Sequence, residues 1–317
     1  MTTPVPDIAF DYAHFTHDRL ERILPLAQTR SLDEMEFTLL ALECYADGFV
    51  ATVLMKQDWR MPSPLPPADE VELPLLLKGL PIVTEVVDDR GNHYTAHMRS
   101  GSGGGGGDSV LLLHTVYCLA PALDPAAREL SFTLTQVERP TYDDGHPTWT
   151  DDKVVGGPWP LSFPLRRIPA ETSASPLTVI PVAQRISSAD VSVTVTTVVC
   201  CDWGFIVNSR IDWTSPDGPF AQPVWRASDE RGGDYGRGNC GGGGNAVGDD
   251  SVNSWRMYCN FKPPLDPAAT ELRLELTSFS ARRPVRNEEE DRFDRWETAR
   301  EVPNLGEIVV PLTAPAP

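Results

Sequence analysis

An internal repeat constrains the fold of this chain more than any other feature of its sequence. The segment Ile-Leu-Pro-Leu-Ala-Gln at residues 23–28 matches Val-Ile-Pro-Val-Ala-Gln at residues 179–184. Further on, residues 123–127 and 265–269 both read Leu-Asp-Pro-Ala-Ala. Because the matches keep their order along both halves, we predict two units of one fold in tandem.

The matches also predict the domain boundaries. Repeat 1 is expected over residues 22–165 and repeat 2 over residues 178–312. Residues 1–21 form an N-terminal arm, residues 166–177 a polar, proline-containing linker, and residues 313–317 a short tail.

Strand patterns dominate both units. Residues 191–199 alternate between apolar and polar side chains and are rich in β-branched residues, which is typical of a half-buried strand. The 24 glycines and 30 prolines indicate many turns. Residues 15–24 are the one longer helix candidate. We therefore predict an all-β chain with seven or eight short strands in each unit.

Two local motifs occur once in each unit. The first is an Asp-x-Arg-Gly hairpin at residues 88–91 and 229–232, and the second is the Leu-Asp-Pro-Ala-Ala turn before a late strand. With the strand count, these motifs resemble bacterial immunoglobulin-like sandwiches. The resemblance implies two homologous immunoglobulin-like β-sandwiches in tandem, and it carries no function by itself.

The charge of the chain restricts its partners. A net charge of −18 argues against nucleic acid and against anionic membrane surfaces. The N-terminal residues lack the basic and apolar regions of a secretory signal, and no apolar stretch is long enough to cross a bilayer, so a cytoplasmic protein is expected.

The six cysteines contain no CxxC pair. The repeat aligns Cys44 with Cys200 and Cys118 with Cys259, at strands that immunoglobulin domains bridge by a disulfide. The alternation of residues 191–199 directs Cys200 away from the core unless a bulge intervenes. We therefore predict that all six cysteines are reduced.

Two further patterns suggest ligands. His93 and His97 are four residues apart and His114 lies on a later strand, which would suit a metal-dependent enzyme or hydrolase in repeat 1. Repeat 2 lacks these histidines, so we expect incidental histidines and neither metal nor cofactor. The glycine runs at residues 101–107 and 241–244 are followed by aspartates, which repel phosphate, and are predicted as hairpin tips.

The predicted partner surface lies in two acidic loops, residues 141–160 and 285–304. Each loop holds a tryptophan that could anchor a basic protein surface, with nearby carboxylates that steer its approach. Alternatively, each indole covers one end of the core. The site residues of this hypothesis are Trp149, Trp296, Asp143, Asp144, Glu289 and Glu290.

The function favoured by these patterns is that of a non-enzymatic binding or scaffold protein. It would act through loops and strand edges on a protein partner, or by self-association. The enzyme in repeat 1 and a structural subunit of a larger assembly are the alternatives.

Overall fold

The computed structural model describes residues 20–32, 34–58, 79–105, 110–138, 141–143, 146–148, 154–166, 177–188, 191–213, 220–245, 253–287 and 292–312. These residues form antiparallel β-sheets, and none of them is helical, so the all-β prediction is confirmed. Within them, no helix could cross a membrane. The strands of the first half are β1 (Leu20–Leu32), β2 (Met35–Tyr45), β3 (Phe49–Asp58), β4 (Gly79–Asp88), β5 (His93–Gly105), β6 (Val110–Ala120), β7 (Glu129–Glu138), β8 (Thr141–Asp143), β9 (His146–Thr148) and β10 (Val154–Pro164).

The strands of the second half are β11 (Thr178–Ser188), β12 (Val191–Cys201), β13 (Gly204–Trp213), β14 (Phe220–Asp229), β15 (Asp234–Arg237), β16 (Asn239–Asn245), β17 (Asn253–Phe261), β18 (Glu271–Asn287) and β19 (Arg292–Pro311). They form a five-stranded sheet in the order β11-β12-β13-β17-β16 and a four-stranded sheet in the order β15-β14-β18-β19. The core between these sheets contains Phe205 and Trp213 from one and Trp225 and Leu274 from the other, all fully buried.

The first half forms one eight-stranded sheet in the order β1-β2-β3-β6-β5-β4-β7-β10. Between β5 and β4 only two residue pairs occur, so the sheet bends there. Its first five strands and its last three share one core, in which Phe37 of β2 contacts Phe132 of β7 and Phe163 of β10. β8 and β9 pair only with each other.

A third apolar cluster joins the two halves. Leu40, Ala41 and Leu54 of the first half pack with Val179, Val199 and Ile206 of the second. The strands β2, β3, β12 and β13 are therefore buried on both faces. Apolar residues on both faces, as in the Leu-Leu-Ala-Leu run at residues 39–42, suit such strands.

The two repeated motifs form a clasp in each half. The Asp88 carboxylate accepts hydrogen bonds from the Tyr94 hydroxyl at 2.7 Å and from the Asn92 side chain at 2.8 Å. The Tyr94 hydroxyl in turn accepts a hydrogen bond from the Asp124 backbone, at the start of the Leu-Asp-Pro-Ala-Ala turn. Although burial opposes its charge, these hydrogen bonds lower the pKa of Asp88 to about 2.

The clasp of the second half uses Asp229, Tyr235 and Asp266. The Tyr235 hydroxyl donates to Asp229 at 2.6 Å and accepts from the Asp266 backbone at 3.0 Å. This hydrogen bond from Tyr235 is the main cause that lowers the pKa of Asp229. In both halves the motifs that stand out in the sequence therefore join a hairpin to a distant turn.

Four sequence-based expectations are wrong in detail. The helix candidate at residues 15–24 overlaps β1, and residues 1–19 lie outside the described residues. The described parts of the glycine runs lie in strands and not at hairpin tips, because residues 101–105 belong to β5 and residues 241–244 to β16, whereas residues 106 and 107 lie outside the described residues. The presumed loop at residues 285–304 lies largely in the β18–β19 hairpin, and residues 141–160 contain β8, β9 and the start of β10.

The parity argument for Cys200 also fails. The register of β12 against β13 shifts between Val195 and Thr197, so the alternation changes phase within the strand. As a result Val198 and Cys200 pack towards the core, while Val199 joins the cluster between the halves.

Candidate functional site

The residues of the predicted partner surface are not brought together by any described contact. Trp149, Asp144, Glu289 and Glu290 lie outside the described residues. Asp143 ends β8 and Trp296 pairs with Pro284 in the β18–β19 hairpin. The hypothesis of an acidic, tryptophan-anchored surface therefore stays a prediction.

The three histidines of the enzyme alternative have different surroundings. His93 is exposed, with its Nδ1 3.6 Å from a carboxylate oxygen of Glu85. His97 lies beside Cys118 in the β5–β6 pairing. His114 is buried against the second half, where its ring lies 4.8 Å from that of Tyr258, and burial lowers its pKa to about 4. Among the described residues, no group of three or more His, Cys, Asp or Glu side chains could hold a metal ion.

A buried ion pair connects the halves. One guanidinium nitrogen of Arg256 on β17 donates to the Glu43 carboxylate on β2, and the other donates to the Tyr45 hydroxyl at 2.8 Å. Tyr45 itself donates to Glu43 at 2.9 Å. Burial opposes the charge of Arg256, but Glu43 outweighs it and the pKa of Arg256 is raised. This triad fixes the halves relative to each other and offers no opening to a ligand.

A concave site that combines apolar and cationic groups, with no carboxylate among its described lining residues, lies in the second half. It is a groove of about 440 Å³ between the edges of the two sheets, at β14 and β16. Its walls are residues 221–224 of β14 and residues 237–242 of β15 and β16. Trp255 and Met257 of β17 form its apolar part, and Arg282 of β18 closes one side.

The groove is cationic in an otherwise acidic chain. Arg237 and Arg282 line it, and no carboxylate is among the described residues that do so. The Nε atom of Arg282 is buried without a hydrogen-bond partner. Since a buried donor without an acceptor is costly, this N–H group is suited to donate a hydrogen bond to a ligand oxygen.

Glycines on β16 allow this strand to lie close to β17 at the edge of the groove. A Cβ atom on Gly242 would lie 2.6 Å from the Met257 sulfur and would also collide with the Arg256 carbonyl oxygen. A Cβ on Gly241 would collide with the Tyr258 hydroxyl. The glycine run is therefore needed so that β16 can lie flat against β17.

A disulfide lies at the same edge and corrects the prediction of six reduced cysteines. Cys240 on β16 and Cys259 on β17 are paired directly across the strands and are bonded, with Cα atoms 4.0 Å apart. Cys44, Cys118, Cys200 and Cys201 are not part of a disulfide. Disulfides persist mainly in oxidising compartments, and the cytoplasmic location stays a prediction.

The sequence alignment missed this bond because it placed Cys259 opposite the wrong residue. In the strand pairings, Leu119 opposite Phe49 takes the place that Phe261 takes opposite Phe205. Cys259 then corresponds to Tyr117, whereas Cys118 faces the other way. The signal available in the sequence was the position of Cys240 and Cys259 on two successive strands, with the glycine run of residues 241–244 between them.

Comparison with known proteins identifies no family. No family model matches the chain, and no curated protein matches it. Among solved structures it is similar to one described as the crystal structure of the conserved domain protein from Bacillus anthracis, at 13% identity over 92% of both chains and a TM-score of 0.34. A likeness this weak carries no argument, so the function must be argued from the groove and the packing.

Proposed function

We propose that the protein is a non-enzymatic binding or scaffold protein, built from two duplicated β-sandwiches that act as one rigid body. The strand orders support the duplication. The row β1-β2-β3-β6-β5 of the first half has its counterpart in β11-β12-β13-β17-β16, and β4-β7-β10 has its counterpart in β14-β18-β19.

Irregularities at matching positions also support the duplication. The β1–β2 register shifts between Pro25 and Gln28, and the β11–β12 register shifts between Pro181 and Gln184. Within these shifts, Ala27 and Ala183 have positive φ angles of 49° and 52°. Positive φ is uncommon outside glycine. Its occurrence at an alanine in the same place of both halves therefore favours a common origin of the two units.

The proposed sandwich has its own strand order. In constant-type immunoglobulin domains the second and third strands belong to opposite sheets. Here β2 and β3 are neighbours in one sheet, as are β12 and β13. The immunoglobulin resemblance is therefore reduced to the general sandwich architecture.

The contact between the halves supports the scaffold part of the proposal. The apolar cluster around Leu40 and Val199 removes water from the contact, and the Glu43–Arg256 pair is satisfied only in one relative placement. A rigid pair of sandwiches holds the strand edges and loops at fixed distances, which is what a scaffold requires.

The observation that carries the binding part is the groove between β14 and β16. Small-ligand sites are concave, mostly apolar and supplied with a few polar groups, at volumes of roughly 300–1,000 Å³. The groove has this size, an apolar wall from Trp255 and Met257, and polar groups at its rim. A protein partner on the segments of residues 141–160 and 285–304 remains the second part of the proposal.

A thermal-shift screen with small organic compounds tests the binding function. Val224→Trp fills the groove from β14, and Val309→Trp, on an exposed face of β19, is the matched control. We expect compounds that raise the melting temperature of the native protein and of Val309→Trp but not of Val224→Trp.

Mass spectrometry of the same compounds after incubation with the protein distinguishes binding from catalysis. They should return unchanged. If no compound depends on the groove, the binding proposal is wrong. Chemical conversion that Val224→Trp abolishes would favour the enzyme alternative instead.

A further inference from the structure

We propose that the groove between β14 and β16 binds a small organic anion, an apolar body that carries one acidic group. This inference rests on the proposed binding function and names the class of ligand. It begins with charge. The chain holds 45 acidic and 27 basic residues, yet the described lining of the groove contains two arginines and no carboxylate.

The two arginines differ in their roles. Arg237 ends β15 and is exposed at the rim, where it can meet an anion as it enters. Arg282 is mostly buried, and its Nε atom lacks a hydrogen-bond partner. A guanidinium donates in a planar fork that matches a carboxylate or sulfonate, so an acidic ligand group satisfies the unpaired Nε donor.

One part of the remaining wall is apolar and suits the body of the ligand, whereas Gln222 and Asn239 add polar groups. Trp255 and Met257 are 8% and 6% exposed, and Pro223 and Val224 face them from β14. Inorganic phosphate or sulfate would leave this surface unused. An aromatic or aliphatic acid would bury apolar surface there, at roughly 25 cal/mol for each Å² removed from water.

The first half provides an internal comparison. There, Thr95 takes the place of Arg237. His97 lies opposite Cys118 as Asn239 lies opposite Asn260, and Thr95 and Arg237 each come two residues earlier. Leu113 takes the place of Trp255 opposite the third strand of the row. The cationic rim and the indole are thus specific to the second half, as expected of a ligand site rather than of the sandwich frame.

Fluorescence titration with two matched probes tests the inference, in buffer without reductant. Anilinonaphthalene sulfonate is an aromatic anion, and phenylnaphthylamine is its uncharged analogue. We expect one anion site per chain, with binding about tenfold or more weaker in Arg282→Met, because a charge-assisted hydrogen bond is lost. Arg273→Met, the same change on an exposed part of β18, is the control and should leave both probes unaffected.

Every outcome decides the question. Phenylnaphthylamine should bind Arg282→Met as it binds the native protein, which shows that the groove is intact. Arg237→Gln, at the exposed rim, should weaken the anion several-fold and serves if Arg282→Met does not fold. If both probes bind with equal affinity and neither arginine matters, the anion inference is wrong and the binding function stands. If Val224→Trp affects neither probe, the groove is not a binding site and both proposals fail.

Discussion

The two halves place different side chains on the same strands of their five-strand rows. On β6, His114 lies opposite Leu54, whereas on β17 the matching pair is Arg256 opposite Arg210. Met98 faces Tyr117 across β5 and β6, whereas the disulfide of Cys240 and Cys259 links β16 to β17. The two rows have matching strand orders, but the second half carries the buried Arg256, the disulfide and the groove.

This difference shows how strands in the same order can carry side chains with different roles. The charge of Arg256 stabilises the contact between the halves because its partners, Glu43 and Tyr45, belong to the other half. His114, its counterpart, contacts the ring of Tyr258 instead. The contact between halves is thus asymmetric, with an ion pair at one place and two tilted rings in contact at the other.

The largest expected effect comes from breaking the ion pair. Arg256→Met leaves the Glu43 carboxylate buried without its partner, and we expect a loss of about 3–5 kcal/mol in the free energy of unfolding. Denaturant unfolding measures this loss. His114→Phe, at the corresponding place in the first half, is the matched variant and should cost much less. Equal losses of unfolding free energy in the two variants would show that the ion pair stabilises the protein no more than the ring contact of His114 does.

A second, smaller effect concerns the disulfide. Its removal in a Cys240→Ala, Cys259→Ala double variant should lower the free energy of unfolding by about 3 kcal/mol, from the loop entropy of a 19-residue separation. Met98→Ala is the matched variant of the first half. It removes only an apolar contact, at the place that Cys240 takes in the second half. Thiol titration of the denatured, unreduced protein should count four thiols. A count of six would refute the bond.

The smallest expected difference concerns the two clasps. Tyr94→Phe leaves Asp88 with the Asn92 side chain as donor, whereas Tyr235→Phe leaves Asp229 with backbone donors alone, because Gly233 follows in place of Asn92. We expect Tyr235→Phe to cost about 1 kcal/mol more than Tyr94→Phe in unfolding experiments. If Tyr94→Phe is the more damaging change, the Asn92 side chain does not act as the second donor.

Much of the local structure could be predicted from the sequence. The alternation of residues 191–199 indicated β12, and the Asp-x-Arg-Gly and Leu-Asp-Pro-Ala-Ala motifs marked turns that the structure contains. These signals are local, since strand propensity and turn chemistry depend on neighbours in the chain. The candidate groove was not predicted, because its walls come from β14, β16, β17 and β18, and their proximity depends on sheet order.

By itself, the sequence determined the all-β character, the recurring turns and the excess of negative charge. Only the tertiary structure decided which face of each strand is buried and which cysteines meet. A single register shift in β12 reversed the direction of Cys200, and one residue of offset separated Cys259 from the position assumed for it. Side chains alternate along a strand with a period of two, so one residue of slip moves a group from the core to the opposite face.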